Sequence, residues 1–98
     1  MRLVIDKYRH YAADYSCSTA REGQRMLNEH PVSFLYIGHH LAGRGTGLDV
    51  LKWAKQKNCL PLQVMLTTNN PLHRQALSNF LTKNGYVGDG IRFHKTVH

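Results

Sequence analysis

Short apolar runs alternate with amphipathic stretches along the whole of this 98-residue chain. Residues 2–6, 32–37 and 62–67 are runs of strand length, and residues 32–37 (VSFLYI) are apolar at every position but one. Near-continuous runs of this kind are typical of buried strands in parallel sheets. The stretches between them carry apolar residues at helical intervals. This alternation predicts βαβ units and therefore an α/β fold.

Capping signals mark the beginning of each predicted helix. Thr19 and Glu22 have the spacing of a capping box, which predicts a helix that begins there and ends before Pro31. The second helix begins at Thr46 or the glycine after it. Asn70 is followed by proline, the combination of an N-cap and a first helical position.

With a last strand over residues 86–94, the chain is expected to form one receiver-like domain over residues 1–98. The expected architecture is a small flavodoxin- or receiver-like three-layer sandwich. Its sheet would be mainly parallel, with four to five strands and helices on both faces. Because no helix follows the last strand, part of one sheet face is expected to be bare, and a homodimer would cover it.

The charge of the chain is unevenly distributed. The formal net charge is +7, and residues 50–98 hold seven Lys or Arg but a single acidic residue. This excess favours an anionic partner, although a lysine-rich helix face would also produce it. No apolar run approaches the ~20 residues of a membrane span, and the N-terminus does not resemble a signal peptide. The two cysteines form no CxxC motif. A cytoplasmic protein with free thiols, no membrane partner and no cofactor is therefore expected.

In open α/β sheets, ligands bind beyond the carboxyl ends of the strands. This rule selects polar residues that follow three predicted strands: Asp6 and Arg9, then His39 and His40, then Thr67, Thr68 and Asn70. The set combines imidazoles, hydroxyls, an amide and a guanidinium with one carboxylate. It therefore fits an anion better than a divalent cation.

A glycine-rich stretch leads into the second predicted helix. Its amides and the helix dipole favour an anion, and Arg44 would add a charged contact to a phosphate. The alternative is an ordinary turn that ends in a capping threonine. The stretch lacks the Lys-Ser/Thr ending of a Walker A loop. Its candidate ligand-binding residues are Gly43, Arg44, Thr46 and Gly47.

His39 and His40 are the candidate catalytic pair, because two imidazoles can divide the acid and base roles in phosphoester cleavage. Asp6 would orient a histidine or, alternatively, cap the turn that follows its strand. A purely structural role for both histidines is the competing interpretation. No HxH spacing and no Cys/His cluster is present, so no metal site is predicted. Tyr8, Tyr11 and their basic neighbours form a loop that either stacks nucleic-acid bases or packs as a lid.

Four segments of the chain resemble a known family of domains. They read Asp6-Lys7-Tyr8-Arg9, Gly38-His39-His40-Leu41-Ala42, Thr46-Gly47-Leu48-Asp49-Val50-Leu51-Lys52-Trp53 and Thr67-Thr68-Asn69-Asn70-Pro71. The chain resembles a response-regulator receiver that lacks its acidic pocket, and more closely the cyclic-phosphate-processing receiver domains. The resemblance implies a phosphate-ester role for Asp6, Arg9, His39 and Asn70, with Thr68 as a hydroxyl equivalent. Acids of the family pattern are absent at residues 7, 38 and 40, and Gly38 cannot accept a phosphoryl group.

Three functional hypotheses follow. The first is a degenerate receiver-like domain that binds a phosphate-bearing small molecule or RNA end. The second is an enzyme, a cyclic phosphodiester hydrolase with His39 and His40 as acid and base and Arg9 or Arg44 stabilising the added negative charge. The third is a non-catalytic interaction module that dimerises.

Overall fold

A computed structural model describes residues 1–8 and 11–96 of the chain. The described strands are β1 (Arg2–Ile5), β2 (Tyr15–Cys17), β3 (Phe34–Ile37), β4 (Gln63–Leu66), β5 (Tyr86–Gly88) and β6 (Arg92–Lys95). The described helices are α1 (Ala20–Glu29), α2 (Gly47–Gln56) and α3 (Pro71–Lys83). Among these helices, none has the length and apolarity that crossing a bilayer requires.

The three predicted helix starts are confirmed by their caps. The Thr19 hydroxyl accepts a hydrogen bond from the Glu22 amide at 3.1 Å. Thr46 and Asp49 cap each other's amides at the start of α2. The Asn70 side chain accepts from two amides of the first turn of α3. Each helix therefore begins where its own sequence satisfies the free N–H groups.

The six strands lie in the order β2-β1-β3-β4-β6-β5. The first four are parallel, whereas β6 is antiparallel to β4 and β5 is antiparallel to β6. The expectation of a mainly parallel sheet of four to five strands is therefore wrong, because the sheet is mixed and has six strands.

A hairpin within residues 86–94 explains the difference, since this segment was expected to be one strand. The Asp89 carboxylate accepts hydrogen bonds from the amides of Ile91 and Arg92 at 3.0 and 2.9 Å. Gly90 has a φ of +97°, which favours glycine. This Asp-Gly turn reverses the chain, so β6 rather than β5 pairs with β4.

All three helices pack on one face of the sheet. Leu3, Leu35 and Val64 lie side by side in the register of β1, β3 and β4, and they share a buried core with residues of every helix. The expectation of a three-layer sandwich with helices on both faces is therefore wrong. The connection between β1 and β2 is too short to supply a covering helix, since β2 begins at Tyr15. Consequently the helices and the sheet form two layers.

The opposite face of the sheet, here called the open face, carries the alternate side chains of the strands. Tyr11, from the connection between β1 and β2, stacks on Tyr36 with ring centroids 4.8 Å apart. In the described part of the chain, no helix contributes to this surface. The strand residues of the open face are Arg2, Val4, Ser16, Phe34, Tyr36, Gln63, Met65, Val87, Arg92 and His94.

The free cysteines Cys17 and Cys59 confirm the expected thiols. Both are partly buried against the core. Burial raises the pKa of the Cys17 thiol to about 11, so this group is protonated at neutral pH and is a poor nucleophile.

Gly47 tests the packing of α2 against β3. A Cβ on Gly47 would lie 1.8 Å from the carbonyl oxygen of Gly38, so Gly47→Ala forces the helix away from the strand end. We expect this variant to lower the free energy of unfolding by about 3 kcal/mol in urea titrations. Gly43→Ala is the control, because a Cβ there meets nothing within 4 Å and only the φ of +75° opposes it, at about 1 kcal/mol. Equal losses in the two variants would contradict the close contact.

Candidate functional site

The carboxyl ends of β1, β3 and β4 meet at one edge of the sheet. The Gly38 amide donates to the Ile5 carbonyl at 2.9 Å, and the Thr67 amide donates to the Ile37 carbonyl at 3.0 Å. These bonds continue the parallel register one residue beyond the strands. A cavity of about 270 Å³, here called the edge cavity, opens at this point. Its lining residues are Asp6, Tyr8, Gly38, His39, His40, Thr67, Thr68 and Asn69.

A hydrogen bond between Asp6 and Thr67 forms the floor of the edge cavity. The Thr67 hydroxyl donates to one carboxylate oxygen of Asp6, and the Tyr8 amide donates to the other at 2.8 Å. Asp6 is 7 % exposed and Thr67 is 3 % exposed. Buried carboxylates need such partners, so Asp6 is committed to holding the ends of β1 and β4 together.

Gly38 lies between these two side chains. A Cβ on Gly38 would be 3.1 Å from the nearer Asp6 oxygen and 3.2 Å from the Thr67 hydroxyl. Both contacts are tighter than is usual for a Cβ. The direct bond between β1 and β4 therefore depends on a residue without a side chain at the end of β3.

His39, His40 and His73 form a group that we call the histidine cluster. The His39 and His73 rings are stacked, with centroids 3.8 Å apart and 16° between their planes. The His40 ring meets both edge-on, at 5.2 Å from His39 and 4.8 Å from His73. Nδ1 of His39 and Nδ1 of His73 are buried, with no hydrogen-bond partner among the described residues.

Burial lowers the pKa of the His39 imidazole, and the neighbouring His73 and His40 lower that pKa further. Asp49 acts in the opposite direction and is the smallest of the causes. His39 is therefore largely uncharged at neutral pH and can accept a proton. An anion in the edge cavity would favour its protonated form.

His73 is absent from the site that sequence analysis predicts. It lies in the first turn of α3, two residues after Pro71 and three after the Asn70 cap. Side chains of a first turn lean toward the helix N-terminus, and this N-terminus lies at the carboxyl edge of the sheet. The position of His73, three residues after the predicted cap Asn70, was therefore the sequence signal that could have placed it at this edge.

The glycine loop, residues 43–47, does not line the edge cavity. Gly43, Arg44 and Gly45 are exposed. The Thr46 amide donates to the Asp49 carboxylate at 2.9 Å, and the Gly47 amide donates to the His39 carbonyl at 2.9 Å. These amides are already satisfied within the protein. An isolated β-bridge between His40 and Thr46 connects this loop to the histidines that line the cavity. The ligand contacts predicted for Gly43, Arg44, Thr46 and Gly47 stay predictions.

The third predicted group follows β4. Thr68 lines the edge cavity, and its hydroxyl accepts from the Asn70 amide at 3.3 Å. The Asn70 side chain caps α3 and does not line the cavity. Arg74 donates to the Thr68 carbonyl at 3.1 Å, which ties α3 to this loop. The predicted ligand residue Arg9 lies outside the described residues.

Within residues 1–8 and 11–96, no group of three or more His, Cys, Asp or Glu side chains is arranged to hold a metal ion. Two rings of the histidine cluster lie nearly face to face. Their ring nitrogens therefore do not converge on one point as ligand nitrogens must.

Comparison with protein families matches residues 1–83 to the model of the cyclic-phosphate processing receiver domain. The chain belongs to this family of receiver domains. Its fold is also similar to the crystal structure of the N-terminal domain of an uncharacterized protein from Wolinella succinogenes, with a TM-score of 0.64 at 14 % identity. The similarity covers 80 % of this chain and 72 % of that chain, and it concerns the fold alone. No functionally curated protein matches the sequence.

Substitutions of Thr67 test how much the hydrogen bond between Thr67 and Asp6 stabilises this receiver domain. Thr67→Val keeps the shape of the side chain but removes the hydroxyl that bonds Asp6. The buried carboxylate then loses a donor, and we expect the free energy of unfolding to fall by about 2 kcal/mol.

Thr67→Ser is the matched control, because it keeps the hydroxyl and loses one methyl group, at about 1 kcal/mol. Urea titrations of the two variants make the comparison. A serine variant as unstable as the valine variant would show that the hydroxyl contributes nothing.

Proposed function

We propose that this receiver domain binds a phosphate-bearing ligand, a nucleotide or an RNA end, in the edge cavity. The observation that carries the proposal is the pairing of a buried, hydrogen-bonded carboxylate with a histidine cluster at that site. Both oxygens of Asp6 already accept protein hydrogen bonds, whereas imidazoles of the cluster line the cavity. Protonated imidazoles donate charge-assisted hydrogen bonds to phosphate oxygens.

Hydroxyl and amide groups in the cavity lining support the same ligand class. Thr68 and Asn69 line the cavity and follow β4, the strand that pairs with β3, after which the histidines come. Their donors are uncharged, so they would orient a phosphate while His39 and His40 supply positive charge. Arg44 would contact the remainder of the ligand from the exposed glycine loop, whose end is bridged to His40.

A phosphorelay role is disfavoured by the residue at the end of β3. Gly38 carries no carboxylate, and the space beside it is filled by Asp6 and Thr67. A phosphoryl group therefore has no acceptor at this position. The proposed ligand binds without covalent attachment.

The proposed binding depends on pH in a defined direction. Without ligand, the pKa of His39 is lowered, and a bound anion raises it again, so binding takes up a proton. We expect uridine 2′,3′-cyclic phosphate to bind more tightly as the pH falls from about 8 to about 6, where histidine titrates. Calorimetric titrations should show His39→Gln binding about tenfold more weakly at the lower pH, or about 1.4 kcal/mol.

His30→Gln is the matched control for this titration. His30 is an exposed histidine that caps the C-terminal end of α1 and does not line the edge cavity. It should leave the affinity and its pH dependence unchanged. An affinity that is independent of pH, or equally reduced in both variants, would contradict the proposed site.

A second candidate function, hydrolysis of the cyclic phosphate, is favoured by the unlike surroundings of the two adjacent histidines. His39 is partly buried against His73 with its pKa lowered, whereas His40 is exposed. His39 would take a proton from the attacking water, and His40 would give one to the leaving ribose oxygen. The new bond joins the water oxygen to phosphorus, one ring P–O bond breaks, and a phosphomonoester results.

Phosphorus NMR separates this candidate from simple binding. A short RNA with a 2′,3′-cyclic phosphate end is incubated with the wild type, His39→Ala and His30→Ala. Hydrolysis predicts that the cyclic signal becomes a monoester signal with the wild type and His30→Ala only. An unchanged cyclic signal in every sample would leave binding without hydrolysis and would rule out the second candidate.

A further inference from the structure

The open face carries a cluster of aromatic rings that no helix covers in the described chain. Phe34 and Tyr36, both on β3, have ring centroids 4.8 Å apart, and Tyr11 is stacked on Tyr36 at the same distance with 6° between the ring planes. All three side chains are only partly buried. The Phe34 ring plane is tilted by 41° from that of Tyr36, so the cluster presents ring faces in two orientations on which planar ligand groups can stack.

Cationic side chains surround these rings. The Arg2 guanidinium lies 5.4 Å from the centroid of the Phe34 ring, and the exposed Arg92 is in register with Met65 in the row that contains Tyr36. None of the strand residues assigned to the open face is acidic. Asp14, at the margin, accepts a hydrogen bond from the Arg2 amide.

A groove of about 210 Å³ crosses the strands next to the rings. The side chains that bound it from the open face are those of Phe34, Gln63, Arg92 and His94. Phe34, Gln63 and His94 occupy one row of the register across β3, β4 and β6. An aromatic ring, an amide, an imidazole and a guanidinium therefore line one continuous path.

We propose that the open face binds single-stranded nucleic acid. Bases would stack on the outer rings of the cluster, Tyr11 and Phe34, while the phosphates between them would contact Arg2 and Arg92. Proteins that bind single strands combine aromatic platforms with cationic grooves, and uncovered sheets serve as such platforms. A second copy of this chain fits less well, because a two-fold interface would bring arginine-bearing surfaces together.

The proposed surface shares no lining residue with the edge cavity, and its ligand does not need a terminal phosphate. The test therefore uses an oligoribonucleotide of about 12 nucleotides that carries fluorescein on an internal base and hydroxyl groups at both ends. Fluorescence anisotropy gives the affinity from about 50 to about 200 mM salt. Failure here leaves the proposed phosphate site untouched, and failure of the phosphate titration leaves this surface untouched.

Two variants and a control separate stacking from charge. We expect Phe34→Leu to weaken binding by at least about fivefold and to leave the salt dependence unchanged. We expect Arg92→Ala to weaken binding and to reduce the slope of log affinity against log salt by about 0.7. Arg21→Ala removes the same charge from an exposed position on α1, on the other side of the sheet, and should change neither quantity. Thermal melting confirms that each variant is folded.

Three results would overturn the proposal. The first is no anisotropy change with the wild type at the lower salt concentration. The second is an equal loss in Arg21→Ala and Arg92→Ala, which would indicate general attraction to a basic protein. The third is a wild-type dimer, seen by analytical ultracentrifugation, that Phe34→Leu dissociates, because the open face would then be an interface between copies.

Discussion

The close approach of α2 to the end of β3 is the contact on which the edge cavity of this protein depends. The first residue of the helix, Gly47, lies so near the Gly38 carbonyl that no larger residue fits without moving the helix. Beside this contact, the Gly47 amide donates a hydrogen bond to the His39 carbonyl, which closes the loop between β3 and α2. His39 and His40 are thereby held in a tight loop. Without that loop, their rings would not meet a histidine from α3.

Gly38 also affects the contact between the Asp6 and Thr67 side chains, which lie beside it. Because it lacks a side chain, Asp6 and Thr67 bond directly across the end of β3. The carboxylate that would attract a cation is thus enclosed and hydrogen-bonded, and the residues left open to the cavity are imidazoles, hydroxyls and amides. This lining is the basis of our proposal that the edge cavity of this receiver domain holds an anion.

Features that depend on neighbouring residues were predictable from the sequence. The caps Thr19, Thr46 and Asn70 and the apolar runs of β1, β3 and β4 are local signals, and the structure confirms them. The hairpin at Asp89 was also a local signal, but it lay inside an apparent single strand. The packing of all three helices on one face of the sheet was harder to predict. It depends on the shortness of the connection between β1 and β2, which leaves no room for a helix on the other face. His73 was missed because its role arises from two elements distant in sequence that meet at one edge.

The histidine resonances provide the most direct test of the central claim that the edge cavity is a phosphate site. Long-range proton–nitrogen NMR spectra of the imidazoles can be recorded while uridine 2′,3′-cyclic phosphate is added. We predict that the resonances of the ring nitrogens of His39, His40 and His73 shift together and saturably, while those of His30 and His94 do not move. Shifts confined to the backbone amides of residues 43–47, or to His94 on the open face, would contradict this prediction.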